Sequence, residues 1–244
     1  AWRLMLLPQG IFAQAVGTAV FPTFSEQAAR DDLEGLRGTL TAMVRMVVVL
    51  MLPATVGLIV LGEPLIALFF QRGAFGATST EAVAWALGCF ALGLTGHSLI
   101  EILARAFYAL HDTWTPALTA AVAVVVNVGL GIGLPPLFRR AGLPAHAGLA
   151  LANAVAALVE MVLLLWQMER RLGRLGSLRA VVVRAGAASL LMGAVLDLLL
   201  PRLPSAAWIR ATAGVGAGFA VYLLLARLLR IDELRQAVKL VWRR

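Results

Sequence analysis

This chain lacks the groups that covalent chemistry usually requires. Its 244 residues include a single cysteine, Cys89, so no internal disulfide and no thiolate metal cluster can form. The three histidines, His97, His111 and His146, fall in a helical run and two separate connections, without metal-ligand spacing. No Gly-rich phosphate loop, nucleophile elbow or metalloprotease helix is present, and nothing implies a cofactor. Charge is also scarce. Only 14% of residues are charged, whereas 61% are hydrophobic and the mean hydropathy is +0.88. A soluble fold of this size needs a polar face on nearly every element, so the bilayer is the natural solvent for the surplus.

Seven apolar segments occupy almost the whole chain, at about 4–24, 40–61, 82–108, 116–137, 147–168, 178–200 and 208–229. Each approaches the roughly 20 residues that an α-helix needs to cross a hydrocarbon core of about 30 Å. No period-2 alternation persists for ten residues, which argues against a transmembrane barrel. The expected fold is therefore an all-α integral membrane protein with seven transmembrane helices.

The net charge of +8 lies in the connections and is unevenly divided. Arg30, Arg37, Arg105, the run from Arg170 to Arg184 and a tail containing Arg227, Arg230, Arg235, Lys239, Arg243 and Arg244 share one side. The other side has Arg3, Arg72, Arg139, Arg140, Arg202 and Arg210. Short cytoplasmic loops concentrate basic residues, which predicts a cytoplasmic C-terminus, with the tail also able to touch anionic membrane lipids. The charge is thus a matter of topology, and no nucleic-acid partner is expected. The chain opens Ala-Trp-Arg, and an odd number of spans starting outside is expected of the C-terminal part of a larger protein.

Within the spans, Pro8, Gly10, Gly17 and Pro22 texture the first helix, while Pro53 and Gly57 are expected to interrupt the second in mid-membrane. The glycines at 129, 131 and 133, and at 214, 216 and 218, are read as positions of close helix contact. Intramembrane ionisable residues are expensive and need water or a partner. His97, Glu101 and Arg105 follow one another at i, i+4 and share a helix face, so Glu101 and Arg105 can neutralise each other. Arg45 is close enough to a helix end to snorkel. Glu160 has no local partner, and Asn127 and Asn153 can bond across helices. These residues, with Gln14 in the first helix, are candidates for a cavity or gate, although ordinary packing explains several of them equally well.

Three sequence blocks resemble a known family. Residues 3–12, RLMLLPQGIF, followed by VGTAVFP at 16–22, look like the eighth of fourteen helices in the MurJ (MviN) lipid II flippases. FQRGAF at 70–75 and LARAFYALHDTWTP at 103–116 agree in order and spacing. The resemblance extends to about residue 170, and the last two helices fit by position.

It implies a flippase of the multidrug, oligosaccharidyl-lipid and polysaccharide exporter superfamily, with two six-helix bundles around a cavity. Residues 1–170 would supply five helices of the second bundle, and 171–244 two additional helices with a basic cytoplasmic tail. The missing N-terminal half would then be a partner. The implied substrate is lipid II, carried from the inner to the outer leaflet of the bacterial cytoplasmic membrane, with no bond broken. Arg3 falls on a cavity arginine of the family, and a guanidinium suits a pyrophosphate because it offers forked donors and keeps its charge. The residue before that arginine is often acidic in the family but is Trp2 here, which bears on what would orient Arg3. Other readings are a polysaccharide-lipid flippase, a cation-coupled drug exporter using Glu160 or Glu101, and an inactive membrane scaffold. Asp31, Asp32 and Glu34 form the one dense acidic group and read as solvated loop rather than as metal ligands of a polyprenyl-phosphate enzyme.

Overall fold

The computed structural model describes residues 1–204, 206–229 and 231, and the distal tail residues Arg235, Lys239, Arg243 and Arg244, together with Arg230, lie outside them. Among the described residues the regular structure is entirely helical. Five helices are long and apolar enough to cross a membrane, and two bent pairs bring the number to seven if each pair is one span.

The first pair departs from the expected single helix. Its halves are α1 (Trp2–Pro8) and α2 (Ala15–Ala29), joined by a π-helical turn at Gln9–Gln14 and bent by 48°. Pro8 cannot donate to the Leu4 carbonyl four residues back. Among the described residues, no side chain donates to that carbonyl either. Sharp bends of this kind accompany prolines and π-bulges.

The second span, α3 (Leu33–Val60), corrects an expectation in the opposite direction, because it runs through Pro53 and Gly57 without interruption. Pro53 orphans the Val49 carbonyl. The Tyr222 hydroxyl donates to that same oxygen at 2.5 Å, which is how a neighbouring helix makes an intramembrane proline tolerable. The helix also begins earlier than the apolar run does. Asp32 Oδ1 accepts from the Gly35 amide at 2.8 Å and caps two polar turns ahead of the hydrocarbon segment.

A short helix, α4 (Gly62–Phe70), was not expected and follows α3 directly. The third span divides into α5 (Ala77–Ala91) and α6 (Leu94–Ala109), bent by 42°. At the break, a Cβ on Gly93 would lie 2.7 Å from the Ala154 Cα, so the bend coincides with a backbone approach that only glycine allows.

The remaining helices are α7 (Trp114–Arg140), α8 (Ala145–Leu172), α9 (Leu178–Leu199) and α10 (Ala207–Leu228), with a 3₁₀ turn at Leu200–Arg202. They match the apolar runs to within a few residues. α8 packs on α5, α6 and α7, while α9 packs on α3, and α10 on α9 and α4. Gly214 and Gly218 do meet neighbouring helices, at Leu61 and Leu196, whereas a Cβ on Gly129, Gly133 or Gly216 would meet open space. The core centres on Leu40, Met51, Leu94, Ile102, Phe107 and Leu164, all fully buried. α7 is different, since Val125 and Ile132 are each 72% exposed. In a bilayer such a face meets lipid rather than water.

Candidate functional site

The bent first span has two faces. Leu4, Met5, Gln9, Ala13, Gly17 and Phe24 are buried against the bundle, whereas Arg3, Leu7, Ile11, Gln14, Thr18 and Phe21 recur every three or four residues and are exposed. Arg3 makes no hydrogen bond or ion pair among the described residues. The candidates Arg3 and Gln14 therefore share one open face, Arg3 in α1 and Gln14 at the end of the π-helical turn. Gln9 is on the buried side, and its Oε1 has no hydrogen-bond partner among the described residues.

The upper half of that span is held by rings. The Trp2 indole meets Phe90 of α5 edge-on at 5.2 Å between centroids and His97 of α6 at 5.5 Å, with interplanar angles of 69° and 87°. Both geometries are the tilted arrangements that aromatic quadrupoles favour. His97 Nε2 lies 3.1 Å from Asn153 Oδ1 on α8, so the ring nitrogen donates if that amide oxygen is the acceptor. Trp2, Phe90 and Asn153 line an open cavity of about 640 Å³ together with Asn127, Gly131 and His146. Asn127 and Asn153 thus come to one cavity, although no hydrogen bond joins them.

The lower half is held by charge. Arg105 Nη1 lies 2.9 Å from Glu101 Oε2 and also donates to the Glu101 carbonyl at 3.3 Å. A Cβ on Gly17 would fall 1.9 Å from the same Nη1. The missing side chain is therefore the seat into which the guanidinium fits, and α2 approaches α6 through it. The i, i+4 spacing anticipated the ion pair; the role of Gly17 depends on a helix far away in sequence.

Other candidates stand apart. Glu160 is half-buried in α8 and has no hydrogen-bond or ion-pair partner among the described residues. Arg45 is half-buried under the α8–α9 connection, where its Nη2 would lie 3.1 Å from a Cβ on Gly176.

The sequence reading missed one polar corner. Asp112, between α6 and α7, accepts from the Thr115 amide at 2.9 Å and the Thr115 hydroxyl at 2.6 Å, and pairs with Arg171 at the end of α8. Desolvation works to raise its carboxyl pKa, but the Thr115 bonds and the Arg171 charge together outweigh it and hold the group below the usual carboxylate range. Asp-x-x-Thr at a helix start was the available signal; the Arg171 partner was not.

Comparison with known proteins places this arrangement. The family model described as "Lipid II flippase MurJ" matches residues 1–213. A probable lipid II flippase MurJ of Vibrio cholerae is 29% identical over 97% of this chain and 46% of its own length. The corresponding protein of Thermotoga maritima is 32% identical, with the same shares of the two chains covered. The lipid II flippase MurJ of Burkholderia cenocepacia is 32% identical over 78% of this chain and 36% of its own length. A solved structure, "Lipid II flippase MurJ, inward closed conformation", superposes with a TM-score of 0.74 at 24% identity, covering 95% of this chain and 46% of that one; it shares the fold. The chain thus spans about half the length of the first of these relatives. With the family model covering most of its residues and the multi-span helical fold matched, this chain belongs to the MurJ family of lipid II flippases, which are membrane transporters rather than enzymes.

Proposed function

We propose that the chain is the C-terminal part of a flippase that carries lipid II from the inner to the outer leaflet of a bacterial cytoplasmic membrane. The observation that carries this reading is Arg3, a guanidinium on the open face of the bent span in a chain of this family. The headgroup enters a cavity open to the cytoplasm, the two halves rock, and the headgroup leaves outside while the polyprenyl tail stays in lipid. The N-terminal half supplies the opposing wall. Residues 1–170 act as second-bundle helices, and 171–244 as an added pair ending in a basic tail. The basic ends of the spans face the cytoplasm, as their residue count supports. Arg3 contacts the pyrophosphate, Gln14 lies below it on the same face, Asn127 lines the adjoining cavity, and Glu101 with Arg105 sits at the cytoplasmic gate.

Transbilayer movement of lipid II, measured in cells depleted of their own flippase, tests the assignment. Arg3→Ala should slow flipping by about ten- to a hundredfold, the equivalent of about 1.5–3 kcal/mol for hydrogen bonds to a charged group. Arg3→Lys should recover part of it, since an ammonium cannot reproduce the fork. Normal flipping by an Arg3→Ala protein of normal abundance removes Arg3 from the site.

A cation-coupled transporter is the second reading, favoured by Glu160, which has no partner among the described residues and lies within a membrane-spanning helix. Under it, Glu160→Gln abolishes the dependence of transport on an ion or proton gradient; under the first reading alone, that dependence is unaltered.

A further inference from the structure

An arginine that selects a pyrophosphate must be held at a fixed bearing, and among the described residues no charged group holds it. Arg3 has no ion-pair partner among the described residues. What is fixed is its neighbour. The Trp2 indole, although 39% exposed, rests edge-on against two helices at Phe90 and His97, and the His97 ring is in turn tied to Asn153 of a third. Consecutive residues on a helix lie about 100° apart around the axis. Seating the indole on Phe90 and His97 therefore sets the bearing of the next side chain, which is on the open face with Leu7 and Gln14.

We infer that Trp2 is a positioning residue for Arg3. It sets the rotation of α1 through an aromatic bearing on Phe90 and His97, with Asn153 fixing the histidine ring. The inference rests on the reading of Arg3 as the headgroup contact. An ion pair would fix the guanidinium by drawing off part of its charge and some of its donors. A ring anchor on the neighbouring residue leaves both for the substrate.

Two measurements on the intact flippase in lipid nanodiscs test this. In a Cys89→Ser background, a nitroxide is attached at Arg3→Cys and its mobility read by electron paramagnetic resonance. Trp2→Ala should narrow the spectrum toward that of a mobile label, Trp2→Phe should leave it broad, and Leu7→Ala on the open face should not alter it. An unchanged spectrum in Trp2→Ala overturns the inference, whatever Arg3 does.

The second measurement is lipid II affinity in Trp2→Ala, Arg3→Ala and the double variant. Trp2→Ala alone should weaken binding about tenfold, and it should add little to Arg3→Ala, because coupled residues are not additive. Independent, multiplying losses overturn the inference. Unaltered affinity in Arg3→Ala sinks instead the substrate reading on which it rests, while the spin-label result still reports on the bearing.

Discussion

Pro8 and Pro53 lie in two consecutive spans, and the helices treat them in opposite ways. Around Pro53 the helix continues, because the Tyr222 hydroxyl takes over the orphaned Val49 carbonyl. Beside Pro8 no side chain among the described residues makes the equivalent bond, and the span breaks into a π-helical turn and bends by 48°. The lesson is that proline removes a donor but does not itself decide the outcome. A partner from another helix makes the site rigid scaffold, whereas its absence leaves a joint. The joint is in the span that carries Arg3.

The largest expected effect is on the rigid side. Tyr222→Phe leaves the Val49 carbonyl buried without a donor and should cost about 2 kcal/mol of stability, within the range for an orphaned buried polar group. In a Pro53→Ala background the alanine amide can satisfy that carbonyl, so the same substitution should then cost under about 1 kcal/mol. Unfolding of the four proteins in mixed micelles completes the cycle, and equal costs in both backgrounds would break the comparison.

On the jointed side, charge should matter more than packing. Glu101→Gln leaves Arg105 uncompensated over Gly17 and should destabilise by about 1–2 kcal/mol, a value tempered by the partial exposure of the pair. Exchanging the two residues should recover part of the loss. Gly17→Ala must displace the guanidinium and should not add to Arg105→Ala. Additive losses in the same unfolding assay would show that α2 does not rest on this pair.

A smaller effect is expected at the corner between α6 and α7, where Asp112 caps a helix and pairs with Arg171. Its folded pKa is depressed, so its contribution is fully present above the unfolded value of about 3.9 and disappears as pH falls through the lower folded value. Asp112→Asn should cost about 1 kcal/mol at neutral pH and should flatten the fall in Tm below about pH 4. An identical pH profile in both proteins would remove the carboxylate from the account.

The smallest energetic effect, and the sharpest test of the joint, is Pro8→Ala. It restores a donor toward the Leu4 carbonyl and should alter stability by only a few tenths of a kcal/mol, since the bend is already accommodated. The 48° bend should nevertheless decrease. Distances between spin labels at Leu7 and Phe21 would lengthen if it does, and unaltered distances would assign the bend to the packing around it.

Long apolar runs made the spans legible, and the continuous α7 to α10 fall within a few residues of their expected limits. Glu101 and Arg105 were legible for a similar reason, since both lie on one helix. The break at Gly93 and the continuity through Pro53 were not. Each depends on a partner from a different helix, Ala154 in one case and Tyr222 in the other. The aromatic bearing of Trp2 was hidden in the same way, because its two contacts are separated from it by the rest of its own span, the whole of α3 and α4 and most of α5. One-dimensional periodicity shows which face is apolar, but it does not show what that face meets.

The bond between Tyr222 and Val49 also imposes an order on biogenesis. The two residues are 173 apart in sequence. At about 5–20 residues per second, the ribosome needs on the order of ten seconds or more to make the intervening chain. During that interval α3 has entered the membrane with its carbonyl still open, sheltered by water or by the insertion machinery. Closure waits for α10, so the last described helix completes the second span.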